Sequence, residues 1–136
     1  MESKSAKSFF LEQTEKLIEY LLKELPNDVN IKMFNEKYYL IKKTNSAMII
    51  NAFIKFVLPQ KDKIFNRDED YFMNGGGQEK LKQDKYKDKY QYSLDLKENW
   101  KNLSEEQKEI IWKYFKILII LAEKHVKHLI ESSVGK

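Results

Sequence analysis

The fold is decided by residues 104–130, which read SEEQKEIIWKYFKILIILAEKHVKHLI. Ser104 and Gln107 have the spacing of a capping box, in which each side chain accepts a hydrogen bond from the other residue's backbone N–H. Acidic residues follow in the first turns and basic residues in the last ones, an order that suits the helix dipole. The stretch therefore predicts a long helix that begins at Ser104 and runs close to the C-terminus.

Apolar residues occupy nearly every side of this predicted helix. One stripe recurs at three- and four-residue steps, and further apolar residues fill most of the remaining circumference. A helix that is apolar all round is usually surrounded by other helices. We therefore expect the N-terminal part of the chain to enclose it. The residues that we expect in the core of the molecule are Trp100, Trp112, Phe115, Leu118 and Leu121.

Three segments upstream also have helical patterns. The first is Ser8 to Leu25, before Pro26, and the second follows the capping residues Asn27 and Asp28. The third, Ala47 to Leu58, is apolar on nearly every side and ends at Pro59, so we expect it to be buried. No alternating strand pattern exceeds four residues. The sequence predicts an all-α fold: one domain, residues 1–136, a compact bundle of about five helices around a long, largely buried C-terminal helix.

Two stretches resemble metal sites but lack essential ligands. The first lies in a predicted flexible, acidic and glycine-containing loop near 66–78, where Asp68 and Asp70 fit a calcium-loop template that fails at Phe72 and Met73. The second is the pair His125 and His128, whose spacing suits zinc and which Glu131 follows three residues later, although lysines flank it and further ligands would have to come from elsewhere. We predict no metal and no cofactor.

Composition excludes several classes of function. The chain has no cysteine, which rules out disulfides, thiolate metal sites and cysteine nucleophiles, and no nucleophile-elbow pattern is present. We therefore predict no catalytic residues and no enzyme activity. No apolar run is long enough to span a membrane, and the first residues lack the pattern of a secretory signal. We expect the protein in the cytoplasm or nucleus, neither secreted nor bound to a membrane.

The charge pattern leaves two interpretations open for residues 79–92. The formal net charge is +4, and Arg67 is the only arginine against 24 lysines, which disfavours sequence-specific reading of bases. Lysines alternate with tyrosines in the segment, as in proteins that track single-stranded nucleic acid, but three acids interrupt them. The other interpretation is a solvated strap whose tyrosines pack inward. The residues that could contact nucleic acid or a partner are Lys80, Lys82, Lys85, Tyr86, Lys87, Lys89 and Tyr90.

Residues 98–118, which read ENWKNLSEEQKEIIWKYFKIL, carry a resemblance to a viral family. The order of Trp, Leu, helix cap, Ile-Trp, Tyr and Leu resembles uncharacterised small helical proteins of nucleocytoplasmic large DNA viruses, of the mimivirus and phycodnavirus groups. The Lys-Lys-Thr-Asn break at 42–45, Pro59 and the run 68–72 are similar to the same proteins. The resemblance implies a viral origin, agrees with a composition typical of AT-rich genomes, and brings no catalytic residues.

Two functional hypotheses follow. The first is a non-enzymatic viral protein that acts by protein–protein interaction, either as a virion component or as an adaptor in the infected host cell. The alternative is a nucleic-acid-associated basic helical protein that uses the segment 80–92 and the exposed lysines of the terminal helix. The two differ in salt dependence, because binding to phosphates releases counterions and weakens steeply as the ionic strength rises.

Overall fold

Four helices of ten or more residues form the described part of the chain, which in this computed structural model comprises residues 5–73, 96 and 99–134. They are α1 (Ala6–Glu24), α2 (Val29–Asn45), α3 (Ala47–Phe56) and α4 (Glu105–Val134). Short helical turns lie at Leu58–Gln60, Lys61–Phe65, Asp70–Met73 and Trp100–Asn102, and these described ranges contain no strand. The all-α prediction and the long C-terminal helix are confirmed, whereas the number of long helices is four rather than about five.

Local hydrogen bonds fix where the first two helices begin. The Ser5 hydroxyl accepts a hydrogen bond from the backbone N–H of Ser8 at 3.1 Å, which caps α1. The Asp28 carboxylate accepts one from the backbone N–H of Ile31, also at 3.1 Å, which caps α2. Only the short turn at residues 25–28 separates these helices.

Helices α2 and α3 follow each other almost without a break. Ser46 is the single residue between them, its backbone is helical, and its side chain makes no capping hydrogen bond. The expected burial of α3 is also incomplete. Ile50 and Phe56 are buried, but the other apolar side chains of the helix are only partly so. Phe53 packs edge-on against Phe10 of α1, with ring centroids 5.0 Å apart.

The core lies mainly between α1 and α4, which run antiparallel. Gln107, near the start of α4, donates a hydrogen bond to Glu24 at the end of α1, at 3.1 Å. Further along, the rings of Tyr114 and Tyr20 lie 6.5 Å apart. The short turn Lys61–Phe65 packs on another side of α4, with Ile64 fully buried. The α4 residues of the core are Ile111, Trp112, Phe115, Leu118, Ile119 and Ala122.

The prediction that α4 is enclosed on all sides is wrong. Its buried residues form one stripe, while Ile117 and Ile120 on the opposite side are 40% and 46% exposed. The physical reason is that α1 covers one side of α4 and the turn 61–65 covers a second, and among the described residues no long helix packs over the third. Helix α1 is also the shorter of the two, 19 residues against 30, so it cannot accompany α4 to its end.

Candidate interaction surface

An exposed strip along the middle of α4 combines apolar and basic side chains. Helical geometry places its residues on one side, because they recur at three- and four-residue steps opposite the buried stripe. Ile117 and Ile120 form the centre, with lysines before and after them, and Lys116 is the one partly buried lysine of the group. We call this surface the outward face of α4 and define it as Lys113, Lys116, Ile117, Ile120, Lys124 and Lys127.

The acidic residues beside the outward face are held by another part of the chain. Glu109 forms an ion pair with Arg67. Glu123 accepts a hydrogen bond from Lys61, with the Lys61 Nζ and the Glu123 Oε2 3.0 Å apart. This hydrogen bond is the main reason that the pKa of Lys61 is raised. Both cations belong to residues 61–67, which therefore draw two carboxylates to one flank of α4.

The next turn of the chain anchors the same segment to the start of α4. Lys108 pairs with Glu69 at 2.9 Å, and its Nζ lies 5.6 Å from the centroid of the Trp100 ring. The hydrogen bond to Glu69 raises the pKa of Lys108, and the same bond lowers the pKa of Glu69. Tyr71 is buried, and burial raises the pKa of its hydroxyl. The part of the predicted acidic loop that is described, residues 66–73, thus packs on the protein.

The residues predicted as core and cap extend from the turn before α4 to the middle of that helix. Ser104 and Gln107 exchange the two hydrogen bonds of a capping box, with lengths of 2.8 and 3.1 Å. Trp100 and Trp112 are both buried and meet edge to face, with ring centroids 5.3 Å apart. Phe115 and Leu118 are buried, and Leu121 packs against the core while remaining partly exposed. These residues position the outward face rather than belong to it.

The last turns of α4 extend beyond α1. The charge of Lys7, the second residue of α1, acts on His125, and α4 continues for nine more residues, a length of roughly 13 Å. Leu129 and Ile130 continue the buried side of α4 into this region and are 51% and 58% exposed. The pKa of His125 is lowered by partial burial and by the charges of Lys7 and His128.

A second polar cluster joins α1 to α2. The Tyr38 hydroxyl donates to Glu15 at 2.8 Å, and Lys42 pairs with the same carboxylate oxygen at 2.8 Å. Burial and the Glu15 carboxylate raise the pKa of Tyr38 far above its usual value. A groove of about 510 Å³ opens beside this cluster, and its lining mixes both charges: Ser8, Leu11, Glu12, Glu15, Lys16, Glu19 and Lys42. The cluster therefore holds α1 and α2 together.

The other predicted residues fall in two groups. The tyrosines and lysines of the 79–92 segment, Lys80, Lys82, Lys85, Tyr86, Lys87, Lys89 and Tyr90, lie outside the described residues. His128 is exposed, and within the described ranges no three histidine, aspartate or glutamate side chains form a group that could hold a metal ion. None of the described helices has the length and apolar character needed to cross a membrane.

Comparison with models of protein families, with curated proteins and with solved structures found no match to this chain.

The sequence alone does not predict the outward face of α4 as a candidate site. Its spacing is visible there, because Lys113, Ile117, Ile120 and Lys124 recur at four- and three-residue steps. Apolar residues on the other sides of the helix obscured the distinction between the buried stripe and the exposed one.

Proposed function

We propose that this chain is a non-enzymatic viral protein that binds another protein through the outward face of α4, as a virion component or as an adaptor in the infected host cell. The observation that carries the proposal is the exposure of Ile117 and Ile120 at the centre of that face. Their helix is fixed by a buried stripe on its other side, so binding would order few new groups and lose little conformational entropy. The viral origin rests on the resemblance of residues 98–118.

The titratable side chains with shifted pKa values support a role without catalysis. Tyr38 is bound to Glu15 between two helices, and Lys108 is bound to Glu69 beside the core. Each of these pairs joins separate segments of the chain. These perturbed groups thus have structural partners, whereas the outward face offers an exposed contact surface.

Affinity capture with a matched variant tests this function. The tagged protein is expressed in transfected or infected cells beside Ile117→Ser/Ile120→Ser, and both captures are repeated after nuclease treatment. We expect a protein that the wild type retains, that the variant loses, and that nuclease does not release. The same captured proteins on both baits, or their release by nuclease, would contradict the proposal. The fold of the variant is checked by its circular dichroism and its unfolding transition.

A second candidate function is association with nucleic acid. It is favoured by the lysines of the outward face, Lys113, Lys116, Lys124 and Lys127, none of which has an ion pair among the described residues. The segment 80–92 would extend this basic surface. Titration of a labelled single strand at several salt concentrations tests it, since each neutralised phosphate adds to the slope of affinity against salt. Binding that is absent at low salt removes this candidate.

A further inference from the structure

Two lysines of the outward face lack the partners that the helix sequence provides for them. Glu109 precedes Lys113 by four residues, and Glu123 precedes Lys127 by four. A glutamate four residues before a lysine is the favourable orientation for an ion pair along a helix. Both glutamates instead bind cations outside the helix, Glu109 to Arg67 and Glu123 to Lys61. Lys113 and Lys127 consequently have no ion pair within the described ranges.

The result is a surface with an apolar centre and a basic border. Ile117 and Ile120 lie between Lys113 and Lys116 on one side and Lys124 and Lys127 on the other. The neighbouring carboxylates, those of Glu109 and Glu123, are already paired with cations of residues 61–67. Such a surface is complementary to a segment that brings apolar side chains to the centre and carboxylates to the border.

We propose that the outward face of α4 binds an acidic, amphipathic segment of a partner protein. Apolar side chains of that segment cover Ile117 and Ile120, and its carboxylates pair with the four lysines around them. This inference rests on the proposed function and specifies the chemistry of the partner. Lys61 and Arg67 act as positioning residues, because they keep Glu109 and Glu123 away from the lysines that the partner needs.

Two other anionic partners fit this surface less well. A single-stranded nucleic acid gains affinity from bases stacked on aromatic rings, whereas the centre of the outward face consists of two isoleucines. A helix that lies on an anionic membrane needs a wide apolar side, often with tryptophan or phenylalanine. The wide apolar side of α4 is its buried stripe, which packs against α1 and the turn 61–65.

The experiment is a selection from a library of short random peptides displayed on phage, with the full chain as bait. We expect enriched peptides to combine aspartate or glutamate with apolar residues at helical spacing. The variant Ile117→Ser/Ile120→Ser removes the apolar centre. We expect it to bind the best peptide about tenfold or more weakly, the effect of removing a central contact. The affinity of that peptide should also fall as salt is added, because its border contacts are charged.

A pair of matched variants tests the positioning role. Lys61→Gln/Arg67→Gln releases Glu109 and Glu123 to pair with Lys113 and Lys127, and we expect the acidic peptide to bind about threefold to tenfold more weakly. Lys63→Gln/Lys101→Gln removes the same number of positive charges from exposed residues without releasing either glutamate. For this control we expect a change of less than about twofold, since exposed charges are screened by salt.

The outcomes separate this inference from the proposed function. Peptides that depend on Ile117 and Ile120 but carry no excess of acids would overturn the acidic partner while leaving protein binding through this face intact. Equal losses in the two double lysine and arginine variants would overturn the positioning role. No peptide dependent on the face, together with binding of single-stranded DNA or of vesicles containing anionic lipid that those isoleucines control, would overturn both.

Discussion

Ile119 and Ile120 are neighbours of the same chemical type on one helix, yet they lie in opposite environments. Ile119 is fully buried between α4 and the rest of the core, whereas Ile120 is 46% exposed on the outward face. Successive residues of a helix point about 100° apart, so one side chain can stabilise the fold while the next remains available to a partner. The comparison shows that α4 has a buried side and an exposed side, to which the proposed function assigns separate tasks.

Truncating each of these two residues should give the largest difference in stability. We expect Ile119→Ala to lower the free energy of unfolding by about 3 kcal/mol, because it removes buried methyl and methylene groups and leaves a cavity. Ile120→Ala should cost less than about 1 kcal/mol, since its side chain is already half in water. Urea unfolding followed by circular dichroism measures both. Similar losses would mean that the outward face is packed rather than free.

The start and the end of α4 offer a second comparison, of smaller size. Ser104→Ala removes a hydroxyl that accepts a hydrogen bond from the Gln107 backbone, and we expect a loss of about 1 kcal/mol in unfolding free energy. Ser133 lies in the exposed last turns, so we expect Ser133→Ala to change the free energy of unfolding by less than about 0.5 kcal/mol. Urea unfolding of both variants provides the measurement. A neutral Ser104→Ala would show that the start of α4 does not depend on its cap.

A third test uses pH at the point where α4 passes the end of α1. The pKa of His125 lies below its usual value of 6.5 in the fold, because partial burial, Lys7 and His128 disfavour the charged form. The unfolded chain therefore binds a proton before the folded chain does. Stability should fall as the pH drops through 6.5 and level off below the lowered pKa of the folded state.

His125→Gln should remove this part of the pH dependence. The wild type should lose more unfolding free energy than the variant between neutral pH and mildly acidic pH, as followed by urea unfolding at each pH. Parallel curves for the two proteins would show that His125 titrates alike in the folded and unfolded chains.

The smallest effect is expected from the ion pairs beside the outward face. Arg67→Gln breaks the ion pair between Arg67 and Glu109. Both side chains are substantially exposed, so the free energy of unfolding should change by less than about 0.5 kcal/mol. Thermal unfolding at low and high salt measures this difference. A loss of several times that size would assign the pair to stability rather than to the positioning of Glu109.

Local patterns predicted the elements of the fold better than their packing. Some signals can be recognised from a few consecutive residues: the Asp28 cap, the capping box of Ser104 and Gln107, and Pro26. Each lies where a helix starts or ends in the structure. The relative position of α1 and α4 depends on contacts between distant residues, such as that of Gln107 with Glu24. No local spacing encodes that contact.

The outward face illustrates the same limit for the candidate site. From the sequence, Glu109 and Glu123 are natural partners of Lys113 and Lys127 on the same helix. Only the packing of residues 61–67 against α4 shows that both carboxylates bind elsewhere. Likewise, the apolar residues around α4 predict burial on all sides, whereas in the described part of the chain no long helix covers Ile117 and Ile120, and both are exposed.

The most direct test of the separation between the two faces is the affinity of one selected acidic peptide for two variants of α4. Ile119→Val is a mild change in the core, and Ile120→Ser changes the outward face. Fluorescence anisotropy should show an affinity unchanged by Ile119→Val and weakened about tenfold by Ile120→Ser. Equal affinities of the two variants would contradict the assignment of binding to the outward face.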